Sequence, residues 1–110
     1  MATKFFRGDT FKYDIGVKMG DGSLYVFIPG DIIRIGIKNK LTNSRYVAYK
    51  EIEIEEKTTE VTVEFPPKET KKWSLEPKIL EVELTDTHGD VRTIYQDKIE
   101  MKGDVIKWVI

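Results

Sequence analysis

A chain of 110 residues fits one domain, 1–110, and is long enough to bury a core without staples. It has no cysteine, which excludes a disulfide framework and any thiolate metal site. The 18 Lys and Arg against 19 Asp and Glu give a net charge of −1, which argues against a dense cationic face for nucleic acid. No apolar run reaches the length needed to cross a bilayer, and the first residues lack the apolar core of a secretory leader. The expectation is a protein that is cytosolic at synthesis, with no membrane or nucleic-acid partner.

Turn signals punctuate the chain. Gly-Asp recurs five times, at Gly8, Gly20, Gly30, Gly89 and Gly103. Glycine tolerates a positive φ, and an aspartate side chain bonds nearby backbone N–H groups, so the pair suits chain reversals. Between these marks the segments have strand length. Phe11, Tyr13, Ile15 and Val17 alternate with Thr10, Lys12, Asp14 and Gly16, and the pattern stops at Gly20-Asp21-Gly22. Leu24 to Ile28 reads as a short apolar strand halted by Pro29-Gly30-Asp31. Ile33, Ile35 and Ile37 mark the next strand, ended by the polar loop Asn39 to Arg45.

Tyr46 to Ile54 follows, then Thr58 to Phe65, which Pro66-Pro67 must terminate because a central strand cannot hold them. Pro66 to Glu76 is a connection with Trp73 and Leu75 expected to tuck inward. Lys78 to Thr85 and Val91 to Tyr95 bracket Asp86-Thr87-His88-Gly89-Asp90, a hairpin signal. Ile99 and Met101 alternate with charged residues, and Val105 to Ile110 closes the chain as an apolar strand. This predicts an all-β domain of about seven to eight strands, a sandwich or barrel, with no helical period of any length.

Residues able to do chemistry are few. His88 is the single histidine and falls in a hairpin tip with no serine or cysteine beside it, so it reads as solvated. Glu51, Glu53 and Glu55 alternate onto one face, as do Glu81 and Glu83. Such rows keep a sheet surface soluble and are expected to face lysines on neighbouring strands. Two carboxylates in a desolvated cleft, as a glycosidase needs, are not signalled. Asp21 and Asp31 lie beside glycines, yet the twelve-residue calcium loop is missing. Arg7-Gly8-Asp9 spells an adhesion tripeptide but sits within the repeated Gly-Asp turn pattern, and turn chemistry is the default reading. No catalytic residue, metal ligand or cofactor is assigned.

Two surface readings stand beside the core reading. Tyr46, Tyr49 and Trp108 could stack on sugar rings, as in carbohydrate-binding modules. Trp108, Val109 and Ile110 place apolar residues on both faces of the last strand. Either that end is buried in its own sandwich, or it presents a hydrophobic edge to a partner.

The order of turns and strands resembles a family of immunoglobulin-like domains in bacteriophage and prophage tail proteins, which includes the N-terminal domain of the baseplate upper protein. The residues that carry the likeness are Gly8-Asp9-Thr10, Asp21-Gly22, Gly30-Asp31-Ile32 with the strand through Lys38, and Glu69-Thr70 followed by Trp73 and Leu75. Val82-Glu83-Leu84, Gly89-Asp90-Val91, Thr93-Ile94 and Gly103-Asp104-Val105 complete it. Where the family often has Gly-x-Tyr, this chain has Pro77-Lys78-Ile79. The resemblance implies an immunoglobulin-like antiparallel β-sandwich and a non-enzymatic structural or assembly role in a phage tail, at the baseplate or a tail fibre. Its implied partners are other tail proteins or copies of itself, its implied location is the bacterial cytoplasm at synthesis and then the virion tail, and a carbohydrate-binding module is the alternative.

Overall fold

A computed structural model describes residues 3–40 and 46–103 of the chain. The regular structure comprises strands β1 (Thr3–Phe6), β2 (Phe11–Ile15), β3 (Ile32–Asn39), β4 (Tyr46–Glu53), β5 (Val61–Phe65), β6 (Lys78–Thr85) and β7 (Val91–Lys102), with a helical turn α1 (Pro67–Thr70) between β5 and β6. A five-stranded mixed sheet runs β1-β7-β6-β3-β4, and β2 pairs with β5 in a second, two-stranded sheet.

The period of two decides which side chains face inward. In β3, Ile33, Ile35 and Ile37 are fully buried while Arg34 and Lys38 lie on the outer face. Register places Leu84, Val82 and Leu80 of β6 beside them in turn. Phe11 and Ile15 of β2, with Val61, Val63 and Phe65 of β5, cover these aliphatics from the second sheet. Both sheets therefore share one core. An aromatic cluster closes one end of it: the Phe11 ring lies 4.9 Å from Phe5 and 5.8 Å from Trp73, and Trp73 lies 6.0 Å from Phe65. Edge and tilted contacts of this kind add roughly 0.5–1.5 kcal/mol each beyond the area they bury.

Several expectations need correction. β1 was not foreseen, and it joins β7 in parallel, so the large sheet is mixed and not purely antiparallel. Thr3-Lys4-Phe5-Phe6 offers only one strongly buried side chain, Phe5, too short a pattern to read. Val91 to Lys102 is one strand of 12 residues with an irregularity opposite Val82 and Glu83, in place of two separate strands. Leu24 to Ile28 is not a laddered strand; its β-pairing is limited to isolated bridges, Lys18 with Leu24 and Phe27 with Thr58. Among the described residues there is also one helical turn, because Pro67 fixes a helical φ at the first position and lacks the N–H that such a turn leaves unpaired. Trp73 is buried as expected, but Leu75 is half-exposed. The expected closing strand, Val105 to Ile110, lies outside the described residues.

A buried lysine pins the connection after α1. Lys78 is fully buried, and its ammonium donates to Ser74 Oγ at 3.0 Å, to the Glu76 carbonyl at 3.1 Å, and to the Asn39 side-chain oxygen. All three ammonium protons thus have acceptors, and the Trp73–Glu76 segment is fastened to the end of β3. Burial pushes the Lys78 pKa down, and the charge of Glu76 partly restores it.

Candidate functional site

The segment between β2 and β3 makes the least expected surface. After Val17 the chain reverses at Met19–Ser23: the Ser23 carbonyl accepts from Met19 N–H at 2.7 Å, and Asp21 Oδ1 accepts from Ser23 N–H at 2.9 Å. The Ser23 hydroxyl, which also donates to Asp21 Oδ1, and after it the Ser23 N–H hold the Asp21 carboxyl below its ordinary pKa. Tyr25 N–H then bonds the Val17 carbonyl at 2.8 Å, and Phe27 exchanges bonds with Thr58 at 2.8 and 3.1 Å. The segment is extended and alternates. Phe27 is fully buried and Tyr25 packs on the core, while Leu24, Val26 and Ile28 point outward at 50, 45 and 37 % exposure.

Its far end is anchored by a buried carboxylate. Asp31 is fully buried, and its Oδ2 accepts from Ile28 N–H at 3.0 Å and from the Tyr25 hydroxyl at 3.2 Å. Gly30 reaches the left-handed region at φ 98° and donates to the Ile54 carbonyl at 3.1 Å, while Ile54 N–H returns a bond to the Asp31 carbonyl at 2.8 Å. Burial and the neighbouring Asp31 charge raise the Tyr25 phenol pKa. The outward aliphatic row is therefore held rigidly from both ends, by the Asp21 turn and by the Asp31 turn.

A second surface lies on the outer face of the large sheet. Register sets Tyr49 opposite Gly36 and Tyr46 opposite Lys38, with an irregularity at Ile37 and Lys38 that brings Tyr46 onto the outer face. Tyr46 and Tyr49 are 47 and 51 % exposed, with ring centroids 5.7 Å apart and planes inclined at 44°. Lys38 Nζ lies 5.3 Å from the Tyr46 centroid and 3.3 Å from Glu81 Oε1. Of the three tyrosine and tryptophan positions singled out from the sequence, these two come together, and Trp108 lies outside the described residues.

The remaining candidates sort into turn and surface chemistry. His88 is exposed, and its backbone N–H donates to Asp86 Oδ1 at 2.9 Å, where Asp90 N–H also bonds at 3.1 Å. Burial alone would raise the Asp86 carboxyl pKa, but these two N–H bonds, with His88 and Arg92 nearby, hold it below the ordinary value. Glu51 pairs with Arg34 at 2.9 Å and Glu81 with Lys38, so the cations facing the carboxylate rows come from β3 and include an arginine. Glu53 and Glu55 are exposed. Arg7-Gly8-Asp9 forms a turn in which Asp9 N–H bonds the Phe6 carbonyl at 3.2 Å and the Asp9 carbonyl accepts from Thr70 Oγ1 at 2.7 Å. Among the described residues no group of three His, Asp or Glu side chains is placed to hold a metal ion. Trp108, Val109 and Ile110, the interface expected from the sequence, lie outside the described residues.

A cluster between the sheets was not legible beforehand. Asp97 Oδ2 accepts from Thr3 Oγ1 at 2.6 Å and from the Tyr13 hydroxyl at 3.1 Å. Burial, a bond with Tyr95 and the Asp97 charge together raise the Tyr13 pKa well above its ordinary value. This ties β1, β2 and β7 together and leaves a shallow cavity of about 210 Å³ beside Tyr13 and Tyr95. No helix among the described residues is long and apolar enough to cross a membrane. Comparison with family models, with curated proteins and with solved structures found no match to this chain.

Proposed function

We propose that this chain is a non-enzymatic structural or assembly module of a bacteriophage or prophage tail, built as an immunoglobulin-like β-sandwich and acting by protein–protein docking or self-association. The observation that carries the docking reading is the row Leu24, Val26 and Ile28, aliphatic side chains presented outward at alternate positions of a segment whose other face is already buried. A monomer gains nothing by exposing such a row, whereas a partner surface covers it. The tail assignment rests on the resemblance of the turn order from Gly8-Asp9-Thr10 to Gly103-Asp104-Val105.

The magnitudes fit an assembly made of many copies. Covering the exposed half of Leu24, Val26 and Ile28 is worth roughly 0.7–1.5 kcal/mol per side chain at about 25 cal/mol per Å². That sum supports weak pairwise contact, and repetition around a symmetric assembly turns weak contacts into a stable one. The test is multi-angle light scattering across a concentration series, joined to pull-down of purified baseplate and tail-fibre proteins. Val26→Asp should abolish association or capture while leaving the β-rich circular dichroism spectrum unchanged. A chain that stays monomeric throughout and captures none of those proteins refutes the proposal.

A further inference from the structure

The outer face of the large sheet carries an aromatic platform that the docking row does not use. A Cβ built on Gly36 would stand 2.1 Å from Tyr46 Cε1 and 2.5 Å from Cδ1, so the Tyr46 ring occupies the space of a side chain at 36. The ring is thereby pressed down onto the β3 backbone and held in place. Tyr49, directly opposite Gly36 in register, leans over it at 5.7 Å between centroids. The Lys38 ammonium lies over the Tyr46 ring, 5.3 Å from its centroid, and pairs with Glu81, whose carboxylate also receives Gln96 Nε2 at 3.4 Å.

We infer that Tyr46 and Tyr49 form a binding platform for a neutral oligosaccharide. A pyranose ring has an apolar C–H face and a rim of hydroxyls, and the surface matches both. The half-exposed rings, Tyr49 the more open of the two, offer apolar area with only two rotatable angles each to immobilise. Lys38, Glu81 and Gln96 offer donors and acceptors at the rim, where hydroxyl groups can pair with both kinds. Lys38 pairs with Glu81 and Arg34 with Glu51, and Glu83 adds a further carboxylate opposite Arg34, so the face does not select a sulfated or uronic sugar.

A proline-rich peptide also stacks on tyrosines, but it seats its turns in a groove between aromatic walls. Here Gly36 lets Tyr46 lie down where such a groove would open, leaving two rings inclined at 44° with no facing aromatic wall. This surface is separate from the row at Leu24, Val26 and Ile28, so the inference stands apart from the docking proposal.

Calorimetry and amide chemical shifts of the intact chain would be recorded with chitohexaose, cellohexaose, maltohexaose and mannohexaose, and with decaproline as the competing ligand. One of the hexaoses is expected to bind and to shift the amides of Gly36, Lys38, Tyr49 and Glu81. Tyr49→Ala should weaken that binding about ten-fold, and Tyr46→Phe, which keeps the ring over Gly36, should hold it within about two-fold. Val26→Asp should leave it unchanged. The inference is overturned if no hexaose binds at millimolar concentration, if Tyr49→Ala binds as well as the parent, or if decaproline occupies this face instead.

Discussion

The Tyr46 ring fills the place that a side chain at Gly36 would take, so the two residues specify each other. Glycine weakens a strand interior, yet here the missing Cβ admits an aromatic ring. The sign of a substitution at 36 should therefore depend on what stands at 46. Gly36→Ala should destabilise the parent by about 1–3 kcal/mol, as overpacking does. In a Tyr46→Ala background the same change should be neutral or stabilising, because an alanine loses less backbone freedom on folding. Urea unfolding of the four proteins in this double-mutant cycle checks it, and additive effects would refute the coupling.

Asp31 supplies the buried acceptor for Ile28 N–H and the Tyr25 hydroxyl, while its other oxygen has no partner among the described residues. Asp31→Ala strands a backbone donor and should cost about 2–4 kcal/mol. Asp31→Asn keeps an oxygen acceptor and should cost less than half as much. Equal losses in the urea midpoint for the two variants would show that the bonds at this turn are not what anchors it.

Lys50 sits on the inward face of β4, opposite Ile35, and donates to the Glu64 carbonyl of β5 at 2.8 Å. β4 ends the large sheet among the described residues, and an inward charge on such an edge discourages pairing with another chain. Lys50→Ile should add concentration-dependent association that Val26→Asp does not remove. Sedimentation velocity on the single and double variants checks this, and an unchanged profile for Lys50→Ile counts against edge protection.

Lys78 predicts a distinct pH dependence. Its folded-state pKa lies below the ordinary 10.5, so between the two values the unfolded chain binds more protons than the folded one. Stability from this group therefore rises as pH climbs through the folded pKa toward 10.5. The difference in urea midpoint between the parent and Lys78→Met should widen in favour of the parent from pH 7 upward to about 10. A constant difference over that range would mean that burial does not disfavour the ammonium.

Asp86 gives a slope of the same sign in the acid range. Its carboxyl is held below the ordinary value by the N–H groups of His88 and Asp90, so its contribution is present above that value and fades as pH falls through the folded pKa. Asp86→Ala should flatten the acid limb of the stability profile, read from the thermal midpoint between pH 5 and pH 2. An acid limb identical to that of the parent would rule the group out.

Alternation in Phe11–Ile15, Ile33–Ile37, Val61–Phe65 and Leu80–Leu84 already told which side chains enter the core, because a pleated strand next to an apolar layer enforces a period of two from its own residues. The hairpin at Asp86–Asp90 and the stop at Pro66-Pro67 were legible for the same reason: their causes are local. β1 was not legible, since its pairing with β7 joins Thr3 to Ile99 across nearly the whole chain. Leu24–Ile28 misled because an apolar run states that both faces can be buried, and only the packed chain shows that its outward face is left open. The meeting of Tyr46 with Gly36, the Tyr13–Asp97 bond and the buried ammonium of Lys78 likewise depend on register and layer stacking. Short-range sterics write the strands into the sequence, whereas contacts between distant segments exist only once the sheets have closed over a common core.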